Sequence, residues 1–159
     1  MWGDEMSVLR VTGKHFDADL HLAQSGLTAC RIFRAGEPRS PMRPEGKRFQ
    51  VSGFVVDVSH DSRGALVDQA PDAIAFLKAH EDALARLRSA PGVDDMRLDF
   101  PVDLRIDSQN VMVQFDYFPP ELVALAGSLG LGLEISLYPP NLEELVRGRA
   151  ARKGQYLVQ

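Results

Sequence analysis

Four histidines, one cysteine and two groups of like charge are the residues of this chain with the means to do chemistry. His15 and His21 flank Asp17 and Asp19, and His60 precedes Asp61, so nitrogen and carboxylate donors stand close enough in sequence to suggest a mixed metal site. Their spacing does not fit a template such as H-E-x-x-H, in which two imidazoles one helical turn apart share a face. They read instead as exposed residues of a helix start and a turn. Ser59, His60 and Asp61 are the residue types of a hydrolytic triad. Neighbours in an extended chain point to opposite faces, however, and a triad is defined by convergence in space. Cys30 lies in the apolar stretch "LTACRIF", where a lone thiol reads as a small core residue. Asp99 and Asp103 share one phase of an alternating stretch, but four residues of strand hold them about 13 Å apart. Paired glycosidase carboxylates stand roughly 5 to 9.5 Å apart. The two aspartates suit a solvated sheet face or an electrostatic docking surface. No catalytic residues, metal site or cofactor are expected.

The second charge group is basic. Between Arg31 and Arg48 there are six basic residues (Arg31, Arg34, Arg39, Arg43, Lys47 and Arg48) against two acidic ones, Glu37 and Glu45, with three prolines and two glycines. That composition predicts an irregular loop. Guanidinium forks match carboxylates and phosphates, so Arg31, Arg34, Arg39, Arg43 and Arg48, together with Asp99 and Asp103, are the candidate binding residues. A pocket between this loop and the helix starts at Phe16 and Phe118 would suit a small anionic ligand or an enzymatic role. The glycines of "GSLGLG" close a helix and enter a strand, the reverse of the order that cradles phosphate.

The elements that must position these residues follow from period and punctuation. "SVLRVTG" predicts a first strand, and "FDADLHLAQSG" a short helix with Asp17 as N-cap and Gly26 as stop. "LTACRIF" and "RFQVSGFVVDVS" are strands on either side of the basic loop, and the adjacent Val55 and Val56 place the second towards the middle of the sheet. Pro71 to Leu87 predicts the main helix, with Ile74, Leu77, Leu84 and Leu87 on one stripe. Met96 to Ile106 alternates strictly, apolar residues against Arg97, Asp99, Pro101, Asp103 and Arg105, with Pro101 marking an edge or a bulge. "VMVQFDYF" predicts the next strand, Pro119 or Pro120 begins a helix, and "LGLEISLY" resumes strand character. The final "NLEELVRGRAARKGQYLVQ" reads as a short helix capped by Asn141 and a fraying basic tail over 149–159.

A length of 159 residues with 45% hydrophobic and 25% charged content fits one domain, 1–159, with its core over about 7–148. No apolar run approaches the roughly 20 residues of a membrane span, and acidic Asp4 and Glu5 stand where a secretory signal carries basic charge. With one cysteine the expected location is the cytoplasm. A net charge of −4 makes nucleic acid an unsuitable partner.

"LRVTGKHFDADLHLAQSGLTACRIF" and "VMVQFDYFPPELVALAGSLGLGLEISLY" share a plan of strand, aromatic, acid-bearing helix start and strand, so the chain reads as two related strand-helix-strand units. On the opening "L-x-V-x-G … F-D-A-D", the "R-A-G-E-P-R" loop, the "S-G-F-V-V-D-V" strand and the closing aromatic-Pro-Pro-acid helix that ends in "G-L-E-I-S-L-Y", the chain resembles the small bacterial family catalogued as domain of unknown function 4279. The resemblance covers Val8 to Tyr138, with Phe54 where the family usually carries Trp. It implies an architecture and no established reaction, with toxin–immunity loci as a family context. The resulting expectation is a two-layer α+β fold: a mainly antiparallel or mixed sheet of about six strands, with three helices on one face. The expected function is a cytoplasmic, immunity-like module that binds a protein partner. The alternatives are anionic-ligand or enzymatic work at the basic loop, and a structural homo-oligomer, of which a homodimer is one form.

Overall fold

The computed structural model describes residues 6–60, 64–107 and 109–139. The expected helix at Asn141 and the basic tail over 149–159 lie outside the described residues. Apolar side chains two apart in sequence make the sheet: Leu9 and Val11 in β1 (Val8–Gly13), Phe54 and Val56 in β3 (Ser52–Asp57), and Met96, Leu98, Phe100 and Val102 in β4 (Asp95–Asp103). With β2 (Arg31–Phe33) and β5 (Gly132–Tyr138) they form a mixed sheet in the order β2-β3-β1-β4-β5. β1 pairs antiparallel with β3 and β4, β2 antiparallel with β3, and β4 parallel with β5.

Four helices cover the inner face of the sheet: α1 (Ala18–Ser25), α2 (Leu66–Ala79), α3 (Glu81–Arg88) and α4 (Pro120–Ser128). Their Ala18, Leu66, Ala70, Leu77, Leu84, Leu87, Leu122 and Ala126 join the strand residues in one buried cluster. The α+β class and the mixed sheet are as expected. So are the Asp17 cap, whose carboxylate accepts from Leu20 N–H at 3.0 Å, the left-handed Gly26 that stops α1, and the double burial at Val55 and Val56. β1 ends on Gly13 because the turn after α3 crosses there; a Cβ on Gly13 would meet the Gly92 carbonyl oxygen at 1.7 Å.

Three expectations are corrected. The single helix over Pro71 to Leu87 is two, broken at His80, and the first begins at Leu66, with Pro71 inside it. The start is hidden because Ala65, at the cap position, has no side chain to cap with, and the nearby Asp116 carboxylate comes from far along the chain. The expected sixth strand, Val111 to Tyr117, joins no ladder among the described residues. Its inward side chains bind instead: Gln114 Oε1 accepts from Arg105 N–H at 2.8 Å, Gln114 Nε2 donates to the Asp103 carbonyl at 3.2 Å and to Asp116 Oδ2 at 2.7 Å, and Asp116 Oδ1 pairs with Arg105 Nη2 at 3.0 Å. Of the two strand-helix-strand units, the first is therefore complete as β1-α1-β2, and the second is α4-β5 without its opening strand. Pro101 is neither on an edge strand nor in a bulge. It lies just past the end of the β1 ladder at Val8–Asp99, opposite Ser136 of β5, and its carbonyl accepts from Gln69 Nε2 of α2 at 2.7 Å.

Burial works to raise the Asp116 carboxyl, and the Gln114 amide, the Arg105 guanidinium and the Leu66 N–H outweigh it and hold the group below its ordinary value. A depressed folded-state pKa contributes stability above the unfolded value and loses it as pH falls through the folded one. Asp116→Ala should therefore lower stability at neutral pH by about 1 kcal/mol, the worth of its hydrogen bonds from Gln114 and Arg105. The gap between thermal melts of wild type and variant should begin to narrow as pH falls below about 4, near the unfolded carboxyl pKa, and close as pH passes below the depressed folded value.

Candidate functional site

The chain leaves β2 at Phe33 and returns to β3 at Ser52. Between them the expected irregular loop is a hairpin: Gly36 N–H donates to the Phe49 carbonyl, Phe49 N–H to the Glu37 carbonyl and Arg39 N–H to the Lys47 carbonyl, each at 2.9 Å. Pro38 and Arg48 form an antiparallel bridge, and two turns, Arg43 N–H to Ser40 and Gly46 N–H to Arg43, close the tip. The hairpin folds over the outer face of the sheet, opposite the helices. There Phe33 and Phe49 stack with centroids 4.6 Å apart and pack with Val8, Val51 and Val55 in a second small core.

The five candidate arginines divide by partner. Arg34 fastens the hairpin to α1: its Nε and Nη2 fork onto the two oxygens of Asp19 at 2.9 and 2.7 Å, while its N–H and Nη1 reach Glu37 at 3.1 and 3.3 Å. The hydrogen bond from Arg34 holds the Asp19 carboxyl below its ordinary value, and the same bond raises the guanidinium. Arg48 Nη1 donates to the Gly36 carbonyl at 2.6 Å. Arg31 and Arg39 converge: their guanidinium carbons lie 5.5 and 5.9 Å from the centroid of Phe49, and Arg31 is also 5.9 Å from Phe33. Arg43 stands exposed at the tip, with Lys47 exposed on the returning strand.

Asp99 and Asp103 do not join this cluster. Asp99 is only 6% exposed; it accepts from Ser136 Oγ at 2.7 Å and pairs with Arg10 Nη2 at 3.4 Å. Beside it Arg97 binds Asp95 at 2.6 Å and Glu134, which also faces Arg10 at 3.8 Å. The Asp95 and Glu134 carboxylates raise the Arg97 guanidinium above its ordinary value. This is a charge-compensated patch of sheet, so Asp99 is a structural carboxylate and not part of an open docking surface. Asp103, at the end of β4, is partly exposed and opposite Tyr138. Sequence reasoning missed Arg10, Arg97 and Glu134. The signal was there, as charges of both signs at the outward phase of three strands, but only the strand order makes them neighbours.

The remaining chemical candidates scatter. His21 stacks on Phe16 and His80 lies against Phe76, and among the described residues no group of three or more histidine, cysteine or acidic side chains is placed to hold a metal. Ser59 is buried and its Oγ accepts from Ser7 N–H at 2.9 Å; Asp61 lies outside the described residues. Cys30 is exposed, not core, because it precedes an edge strand of only three residues. Phe16 and Phe118 pack on the helical side, Phe118 edge-on to Phe100. The sheet therefore separates them from Arg31 and Arg39, so the pair expected to flank one pocket does not converge among the described residues. A 460 Å³ concavity on the helical side is lined by Val56, Val58, Asp72, Phe76 and His80 and by none of the hairpin cations.

The chain matches no family model, no curated protein and no solved structure. The site is therefore read from its own geometry. Two guanidinium groups held on one aromatic ring, with two further cations on the same hairpin, make a preformed surface for anions.

Asp99→Ala should cost about 2 kcal/mol in urea unfolding, because it leaves Ser136 without its acceptor and Arg10 short of a carboxylate. Arg43→Ala, at the exposed tip, should stay within about 0.5 kcal/mol of wild type.

Proposed function

We propose that this chain is an interaction module that docks an acidic protein surface through Arg31, Arg39, Arg43 and Lys47. The observation that carries the reading is the convergence of Arg31 and Arg39 on Phe49. Among the described residues the ion pairs of the hairpin go to Arg34 alone, so these four cations keep their charge for a partner. On a chain of net charge −4 a local cationic hairpin makes the field strongly uneven, which steers association with an oppositely charged patch and rejects like-charged surfaces. Arginines resting on an aromatic ring keep their donors free at the outer edge and lose little side-chain freedom on binding.

The reading agrees with the resemblance to domain of unknown function 4279, which we carry forward as the family assignment, and with its immunity-like context. A cytoplasmic location suits a single exposed cysteine, which a reducing compartment keeps as a thiol. No described helix is long and apolar enough to cross a membrane.

The test is capture from native lysate by the full chain, run beside a triple charge reversal, Arg31→Glu, Arg39→Glu and Arg43→Glu. We expect one acidic protein that is retained by wild type, released as salt is raised, and absent with the reversed chain, whose melting temperature stays close to wild type. Retention of the same protein by the reversed chain, or phosphoester or sugar turnover that disappears with Arg39, would contradict the reading.

A further inference from the structure

The segment from Val111 to Tyr117 keeps the alternation of a strand with its faces inverted. Gln114 and Asp116 turn inward and are fixed by Arg105, the Asp103 carbonyl and the start of α2. Val111, Val113, Phe115 and Tyr117 turn outward, and Phe115 is 84% and Tyr117 64% exposed, with Met112 beside them at 85%. Five of the large exposed apolar side chains among the described residues thus come from seven consecutive positions. No backbone–backbone hydrogen bond among the described residues reaches Met112 to Tyr117. A solvated loop has no need of this pattern: apolar residues are presented and polar ones are spent on holding them in place. Monomeric proteins rarely leave such apolar side chains contiguous and uncovered.

We propose that this face is the contact of a twofold homodimer, in which Val113, Phe115 and Tyr117 of one copy pack against the same residues of the other. Area and charge select a second copy as the occupant. The five side chains offer about 600 Å², on the scale of 150 to 250 Å² per aromatic. Two copies together bury about 1,200 Å², the lower bound of a specific interface. A twofold contact uses the same patch twice, so a neutral apolar face complements itself. Between Val111 and Tyr117 the one charged group is Asp116, turned inward and paired with Arg105, so two copies bring no like charges together. The cationic hairpin would repel its own copy. It belongs to the β2 edge, whereas this segment follows β4 and leads into α4, so a dimer would display two free hairpins. Because Gln114 and Asp116 already fix the segment, little ordering remains for association to overcome.

The test is the mass of the full chain by sedimentation equilibrium up to about 100 µM, where a micromolar dimer is saturated. Wild type should approach twice the chain mass, Phe115→Glu should fall to the chain mass while still melting cooperatively at the temperature of dilute, monomeric wild type, and Arg39→Glu should remain dimeric. Wild type at the chain mass throughout would overturn the proposal. A lower melting temperature for Phe115→Glu in that case would assign the patch to cover within one chain. A dimer untouched by Phe115→Glu would overturn it equally, by placing the interface elsewhere.

Discussion

The rest of the structure depends on the strand phase shared by β1 and β4. Burying Leu9 and Val11 beside Met96, Leu98, Phe100 and Val102 commits Arg10, Arg97 and Asp99 to the opposite face, because successive side chains of a strand cannot share a side. A one-residue slip of either strand would turn its guanidinium group, Arg10 of β1 or Arg97 of β4, into the helical core, at a desolvation cost no packing there could return. In register, Arg10 lies opposite Arg97, a like-charge pair that is tolerable only because Asp95, Asp99 and Glu134 surround it. The parallel pairing of β5 to β4 supplies Glu134 and Ser136 to that patch. Register, pairing order and charge compensation are therefore one constraint, met at the centre of the sheet.

The other half of the outer face has a different problem. Val8 and Val55 point away from the helices, where nothing in the helical layer can reach them. The hairpin solves this by bringing Phe49 and Val51 over them, against Phe33 of the edge strand β2. Arg34 ties the arrangement to α1 through Asp19. The cations left over, Arg31 and Arg39 above all, are held on Phe49 as a consequence of that packing, so the surface proposed to bind is a by-product of covering the sheet.

Much of this was legible in the sequence. Alternation set the faces of β4, β-branched residues marked β3, and Asp17 and Gly26 bounded α1, since each signal is local to its own element. What escaped depended on contacts between distant positions. The start of α2 could not be seen because Ala65 offers no capping side chain and the carboxylate near that end, Asp116, comes from across the fold, and Pro71, a common first-turn residue, drew the boundary to itself. The alternation of Val111 to Tyr117 was real, but it did not form a ladder, because Gln114 and Asp116 found side-chain and helix-end partners instead. The basic segment was treated as uniform, and it is not. Composition counts Arg34 and Arg48 with Arg31 and Arg39, and only geometry separates the two that hold the hairpin from the two that rest on Phe49.

The central claim is that the hairpin is a fixed element of the sheet and presents its cations preformed. Residue-resolved amide hydrogen exchange of the full chain by NMR tests it directly. The amides of Gly36, Arg39 and Phe49, the ladder donors, should exchange at least about tenfold more slowly than those of Met42 and Lys47 at and beyond the tip, as hydrogen-bonded structure requires. Equal exchange at the unstructured rate from Gly36 to Phe49 would mean that no such hairpin exists, and that Arg31 and Arg39 are not held together.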